Sequence, residues 1–346
     1  MTGPSPLLSA AMVALVAVLI AVAAAYCARY RLPRPPVGTY TYPDMVVIFA
    51  VVVVAPLAYL HLPGPVVAGV FGLVLLSAVQ LALAPLVGGR RAWAVSAVLC
   101  LATGAAALTG ATVAVTVLTD CMLAAGVVAV TSLWSQSGMR AGHVALFAAL
   151  LTVYDLVATV ATTVMTRFFA EVRGLPFAPL LVLGDGPVPV AVGLGDLMML
   201  VLFPLVARRS FGRTAGLVAA LAGVAVTAAL SALFARGVLT EGVPLLTVLG
   251  PVVVAQYVLW RATGHRERRT AERESPAPPA LTPDPALTAA LAAPPRDEPW
   301  VAVSGGRVVG TGATPGLARR SARENGCPAL PSVHAGGDLS PARPAS

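Results

Sequence analysis

The chain has 346 residues, 58% of them hydrophobic and 11% charged, with a mean hydropathy of +0.84 and a formal net charge of +8. Its apolar residues come in runs of about twenty, the length that crosses a ~30 Å hydrocarbon core, which excludes a soluble globular domain and the alternating ten-residue segments of a membrane barrel. The positive charge calls for no nucleic-acid partner, because every one of the 23 basic residues is an arginine and they gather at the ends of apolar runs and in the tail, as membrane topology requires.

In chain order, the first apolar run covers residues 7–29. No basic residue precedes it and it exceeds the apolar region of a signal peptide, so a retained first helix is expected. Further runs fall at 44–61, 65–87, 92–110, 113–134, 143–166, 190–207, 214–235 and 244–261. The stretch 92–134 is too long for one crossing and divides at Thr109-Gly110-Ala111, where glycine and short polar residues punctuate helices. Nine spans within residues 1–262 predict an all-α polytopic membrane protein.

Residues 263–298, which include ESPAPPALTPDPALTAALAAPPRDEP, are too rich in Pro and Ala to bury a core and read as a semi-rigid linker. Residues 299–335 open with WVAVSGGRVVGTG, an apolar/polar alternation around Ser304-Gly305-Gly306 that signals a hairpin, followed by a helix near 314–325. A small soluble β-hairpin/helix module is expected there, loosely resembling a small domain of unknown function that opens with a Trp-Val-Ala-Val strand. Its glycines lack the strand-to-helix context of a phosphate site. Residues 336–346 read as a disordered tail.

Arginines after odd-numbered spans and at the start of the tail number thirteen: Arg29, Arg31, Arg34, Arg90, Arg91, Arg140, Arg208, Arg209, Arg213, Arg261, Arg266, Arg268 and Arg269. The opposite side holds three: Arg167, Arg173 and Arg236. The positive-inside rule therefore sets the N-terminus outside and the tail in the cytoplasm of a multi-pass protein of the cell membrane.

Two carboxylates lie at membrane depth. Asp155 sits in LLTVYDLVATVATT, near the middle of the run 143–166, and Asp196 follows Gly193-Leu194-Gly195 at the head of LMMLVLFPLVARR. An ionisable residue inside a span costs several kcal/mol and marks a functional site by default. The two spans are joined by a polar loop long enough for antiparallel packing, so the carboxylates can meet. Such a pair cannot both ionise and shares one proton. The ionised member can take a proton from water while the protonated one polarises a peptide carbonyl.

Tyr154-Asp155 and Gly193-Leu194-Gly195-Asp196 resemble the YD and GxGD motifs of the presenilin and signal peptide peptidase family of intramembrane aspartyl proteases, on spans six and seven as in that family. The stretch EGVPLLTVLGP, with Pro244-Leu245-Leu246, matches the family's Pro-Ala-Leu motif at the start of span nine, with Leu245 replacing the alanine. The resemblance covers residues 1–261. It implies a nine-helix presenilin-like bundle in which Asp155 and Asp196 are catalytic, supported by Tyr154 and the Gly193-Leu194-Gly195 stretch, and in which Pro244, Leu245 and Leu246 position substrate. It further implies that a substrate helix unwinds into a strand gripped between the proline segment and DGPVPVAVG at 185–193. The implied substrates are transmembrane proteins or remnant signal peptides embedded in the bilayer, and the arginine count gives the orientation of signal peptide peptidase. On residue type, Gly193 and Gly195 permit close backbone approach and unusual torsions, and Pro244 frees backbone groups that only a cavity tolerates.

Other readings stay open. Buried aspartates can relay protons or cations in a transporter, although the halves show no inverted repeat. A prepilin-peptidase-like protease also uses GxGD, and a presenilin-like protein can bind helices without cutting them. Asp120, a third carboxylate, is expected to make a polar helix contact, with a part in tuning the pair as the alternative. Thr159, Thr162 and Thr163 either hydrate the face of Asp155 or satisfy carbonyls one turn back. No cofactor and no metal are expected: His61, His143, His265 and His334 and the four cysteines lack ligand spacing.

Overall fold

The computed structural model describes residues 5–32, 40–162, 164–172, 174–184, 189–239, 244–267, 297, 299–304, 307–325, 327 and 331–335. It divides into two units, Met1–Arg273 and Glu274–Ser346. The first is a helical membrane protein, with seven helices among the described residues long and apolar enough to cross a bilayer.

Helix α1 (Pro6–Arg29) starts at Ser5, whose Oγ accepts the N–H of Leu8 at 3.2 Å, and proline at the first position suits a site that needs no donor. α2 (Tyr42–Tyr59) is capped by Asp44, which accepts the N–H and hydroxyl of Thr41 at 2.7 and 2.8 Å. α3 (Gly64–Val87), α4 (Gly89–Leu108) and α5 (Thr112–Gln136) follow. The expected break between the last two is real: Gly110 has φ +72°, a left-handed turn that glycine adopts at least cost.

Two expected spans differ from the structure. The run 143–166 is not one helix. α6 (Ala141–Leu156) passes into a π-helical turn at Val157–Ala161, and a separate short helix, α7 (Val164–Val172), follows. Asp155 therefore lies at the C-terminal end of α6 and not near mid-span. π turns recur at functional positions. The run 190–207 is likewise not helical from its start. Strand β1 (Leu180–Leu183) pairs antiparallel with β2 (Val190–Gly193), and only then does α8 (Leu194–Phe211) begin. Val190, Ala191 and Val192 are better accommodated in the pleated strand.

α9 (Arg213–Ala235) is reached through Gly212 at φ +108°, and α10 (Leu246–Ala262) completes the bundle. The seven long apolar helices are α1 to α6, with α6 counted to Thr159, and α9. The runs expected as spans seven and nine contain shorter or more charged helices: α8 carries Asp196, Arg208 and Arg209, and α10 has 17 residues.

The core is organised around α8. Leu197 and every residue from Met199 to Ala207 are buried, so this helix is apolar on all sides because protein surrounds it on all sides. It packs against α1, α5, α6, α9 and α10. At the arginine-rich end, Gln136 of α5 accepts the N–H of Leu32 at 2.8 Å and donates to Tyr30 O at 2.9 Å, while Arg209 donates to Ser135 O at 2.9 Å. By contrast α2 buries only Met45 and presents Val46, Val47, Val51 and Val54 outward.

The second unit contains the expected hairpin, β3 (Trp300–Ser304) with β4 (Arg307–Gly312), and the expected helix, α11 (Pro315–Glu324). A further strand, β5 (Ser332–Ala335), pairs with the other edge of β3. Ala318 and Ala322 of α11 lie against Gly310 and Gly312, where no side chain fits between helix and strand. The turn glycines Gly305 and Gly306, the linker from 268 to 296 and the expected tail 336–346 lie outside the described residues.

α6 and α10 approach closely at Gly250, where an added Cβ would run into Thr152 and come within 3.1 Å of Ala148 O. Gly250→Val is expected to destabilise the bundle by about 1–3 kcal/mol, measured as a lowered thermal unfolding midpoint in detergent.

Candidate active site

Asp155 is 6% exposed at the end of α6. Asp196 stands in the first turn of α8, partly buried, where the free N–H groups of a helix start favour a carboxylate. α6 and α8 pack against each other, and the charge of Asp155 is near enough to bear on Asp196. A buried carboxylate needs donors, and Asp196 has one from the backbone: the N–H of Leu246, 3.2 Å from Oδ1.

The Leu246 donor exists because of Pro244. The proline stands outside α10, its carbonyl accepting the N–H and hydroxyl of Thr247 at 3.2 and 2.6 Å. The first N–H groups of a helix have no partner within it, and that of Leu246 turns to the aspartate. Leu245 and Leu246 are both buried in the main core. The Pro244-Leu245-Leu246 segment thus touches the aspartate site through its backbone.

One participant was not anticipated. Thr152, one turn before Asp155, has its hydroxyl 2.8 Å from Ala148 O and 3.2 Å from Leu246 O. The Leu246 backbone is therefore approached on its carbonyl side by α6 and on its N–H side by α8. The only signal in the sequence is the i−3 spacing from Asp155, which puts both on one helix face.

The glycines do less than expected in conformation and more in space. Gly193 has φ −68° and ψ 151°, ordinary extended backbone, and a Cβ there would make a routine 3.5 Å contact with Asp196 Oδ2. Gly195 is exposed and a Cβ would meet nothing within 4 Å. Neither needs glycine for its torsions; instead Gly195 leaves open room beside the carboxylate. Leu194 closes the hairpin by donating to Pro179 O at 2.9 Å.

Tyr154 sets its ring edge-on to Phe49 of α2 at 6.4 Å, and its buried hydroxyl has no partner among the described residues. Thr159 Oγ1, in the π turn, is also buried and unpartnered there. Thr162 bonds Ala158 O one turn back at 2.8 Å, and Thr163 lies outside the described residues. Asp120 does make a polar contact, but with β1: its Oδ1 accepts the N–H of Val182 at 3.2 Å.

Thr152→Val, which keeps the shape and removes the hydroxyl, is expected to destabilise the α6–α10 junction by about 1 kcal/mol, whereas Thr152→Ser keeps wild-type stability; thermal unfolding of the two variants side by side checks this. In comparisons with known proteins, no family model, no curated protein and no solved structure matches this chain.

Proposed function

We propose that the chain is an intramembrane aspartyl endopeptidase with a nine-helix presenilin-like bundle, hydrolysing peptide bonds of transmembrane helices or remnant signal peptides. The observation that carries this reading is the placing of Asp155, buried at the end of α6, and Asp196, partly buried in the first turn of α8, on helices that pack together, with a proline-led backbone segment hydrogen-bonded to Asp196.

The chemistry follows from two carboxyl groups holding one proton between them. The ionised carboxylate takes a proton from water as the water oxygen bonds to the peptide carbon, and the protonated carboxyl gives its proton to the carbonyl oxygen. The resulting tetrahedral diol collapses as the C–N bond breaks, the nitrogen taking a proton from one carboxyl while a diol hydroxyl returns one to the other. Products are a carboxylic acid and an amine, and the pair is restored.

A helix cannot present its peptide bonds to this chemistry, since its backbone groups are paired with each other. The β1–β2 hairpin offers an alternative. Val182 gives its N–H to Asp120, outward from the hairpin, so the opposed residues Val182 and Ala191 form a pair without mutual hydrogen bonds. The N–H and C=O of Ala191 then point to the free edge of β2, two residues from Gly193. An unwound substrate segment can pair there as an added strand, with the open space beside Gly195 next along the chain. α2, the helix of this wall least held by packing, is the flexible side of the site.

With thirteen arginines against three, the N-terminus lies outside and the tail inside the cell membrane, matching substrates whose N-termini face the cytoplasm. The purified full-length protein in liposomes is expected to cut single-span substrates in that orientation. Asp155→Asn and Asp196→Asn are each expected to lower the rate by at least about 10²-fold. Equal cutting by the wild type and both variants would sink the reading.

A further inference from the structure

The outer edge of β1 and the segment leading into it are held from α5 by two consecutive residues. Thr119, 4% exposed, accepts the N–H of Phe177 on Oγ1 at 3.3 Å, and Asp120 accepts the N–H of Val182 on Oδ1 at 3.2 Å. Phe177 has φ +63°, the one non-glycine residue with positive φ among those described. A bulky side chain keeps that conformation only where its surroundings over-determine it. Here Thr119 fixes its backbone, while its ring rests on Gly72 of α3, where an added Cβ would lie 3.1 Å away.

A carboxylate inside an apolar span is costly, and Asp120 spends its bond on a strand amide, that of Val182. The strand it holds matters because of register. Leu180 to Leu183 pair residue by residue with Gly193 to Val190, and Gly193 runs directly into the α8 turn that carries Asp196. Fixing β1 against α5 therefore fixes how far the free edge at Ala191 stands from the two carboxylates. Strand pairing has a two-residue period, so a hairpin that slides changes which peptide bond of an added strand reaches the site.

We propose that Thr119 and Asp120 are positioning residues that clamp β1 and thereby select the substrate bond that is cut. The proposal rests on the proteolytic reading above, since it concerns the register of that same reaction.

The test uses the full-length protein in liposomes and compares wild type with Asp120→Ala, Asp120→Asn and Thr119→Val. Two readouts are taken: amide hydrogen exchange over residues 177–183, and the positions of cuts in a single-span substrate, mapped by mass spectrometry. Asn keeps an acceptor oxygen, so Asp120→Asn is expected to retain both the protection and the wild-type cut. In Asp120→Ala exchange over β1 rises roughly tenfold and the dominant cut gives way to bonds about two residues distant; Thr119→Val moves both readouts in the same direction. Should Asp120→Ala fail to fold, Thr119→Val, which removes only a hydroxyl, decides. Wild-type exchange and cut positions in both Asp120→Ala and Thr119→Val overturn the proposal alone, provided that wild type cuts and Asp155→Asn does not. A wild type that cuts nothing overturns the proteolytic reading and this proposal together.

Discussion

The backbone of Leu246 is the junction on which the site depends. Within a membrane protein every buried backbone group must find a partner inside the protein. Pro244 keeps α10 from starting earlier, so the N–H of Leu246 is left for Asp196, and the carbonyl of the same residue lies within reach of Thr152. The backbone of this one residue therefore ties the first turn of α8, the first turn of α10 and the last turns of α6 together. The carboxylate gains the donor it needs to be buried, and the helix start gains the acceptor it lacks. Either group alone would carry an unsatisfied polar atom costing a few kcal/mol.

Close approach of the helices makes that junction possible. α10 meets α6 at Gly250, with Ala148 and Thr152 opposite, and small residues of this kind let helix backbones approach where the bilayer supplies no hydrophobic drive to associate. Around this rigid centre the surrounding elements differ in how firmly they are held. α8 is enclosed on all sides, whereas α2 buries one residue, Met45, and meets α6 through Tyr42 on His143 and Phe49 on Tyr154. The π turn after Asp155 adds a locally irregular backbone on the same side. A site with one immobile wall and one loosely packed wall suits a ligand that must come in laterally from lipid.

The two threonines and the third aspartate show how polar residues are used in an otherwise hydrocarbon-like chain. Thr152 serves the α10 start, and Thr119 with Asp120 serves the segment leading into β1. In each case the side chain bonds a backbone group of another element. Irregular backbone at membrane depth is tolerated only where it is buried in protein or lines a cavity, and these residues are its partners.

The sequence by itself determined the helical membrane class, the positions of most helices, the glycine break at Gly110, the carboxylate in the first turn of α8, and the hairpin and helix of the second unit. These follow from local quantities: runs of apolar residues, glycine torsions, and alternation in short strands. The tertiary structure alone decided where the run 143–166 stops being helical, that Val190–Gly193 is a strand, that β5 joins the second unit, and what Asp120, Thr152 and Leu246 bond to. Periodicity cannot separate a short apolar strand from the first turn of an apolar helix, and Val190–Gly193 becomes a strand because Leu180–Leu183 lies beside it to take its hydrogen bonds. The partner of a buried carboxylate is set by which backbone amide another helix leaves free nearby, and for Asp196 that amide lies 50 residues away, on Leu246. No local pattern encodes such a meeting; it arises only when α6, α8 and α10 are packed together.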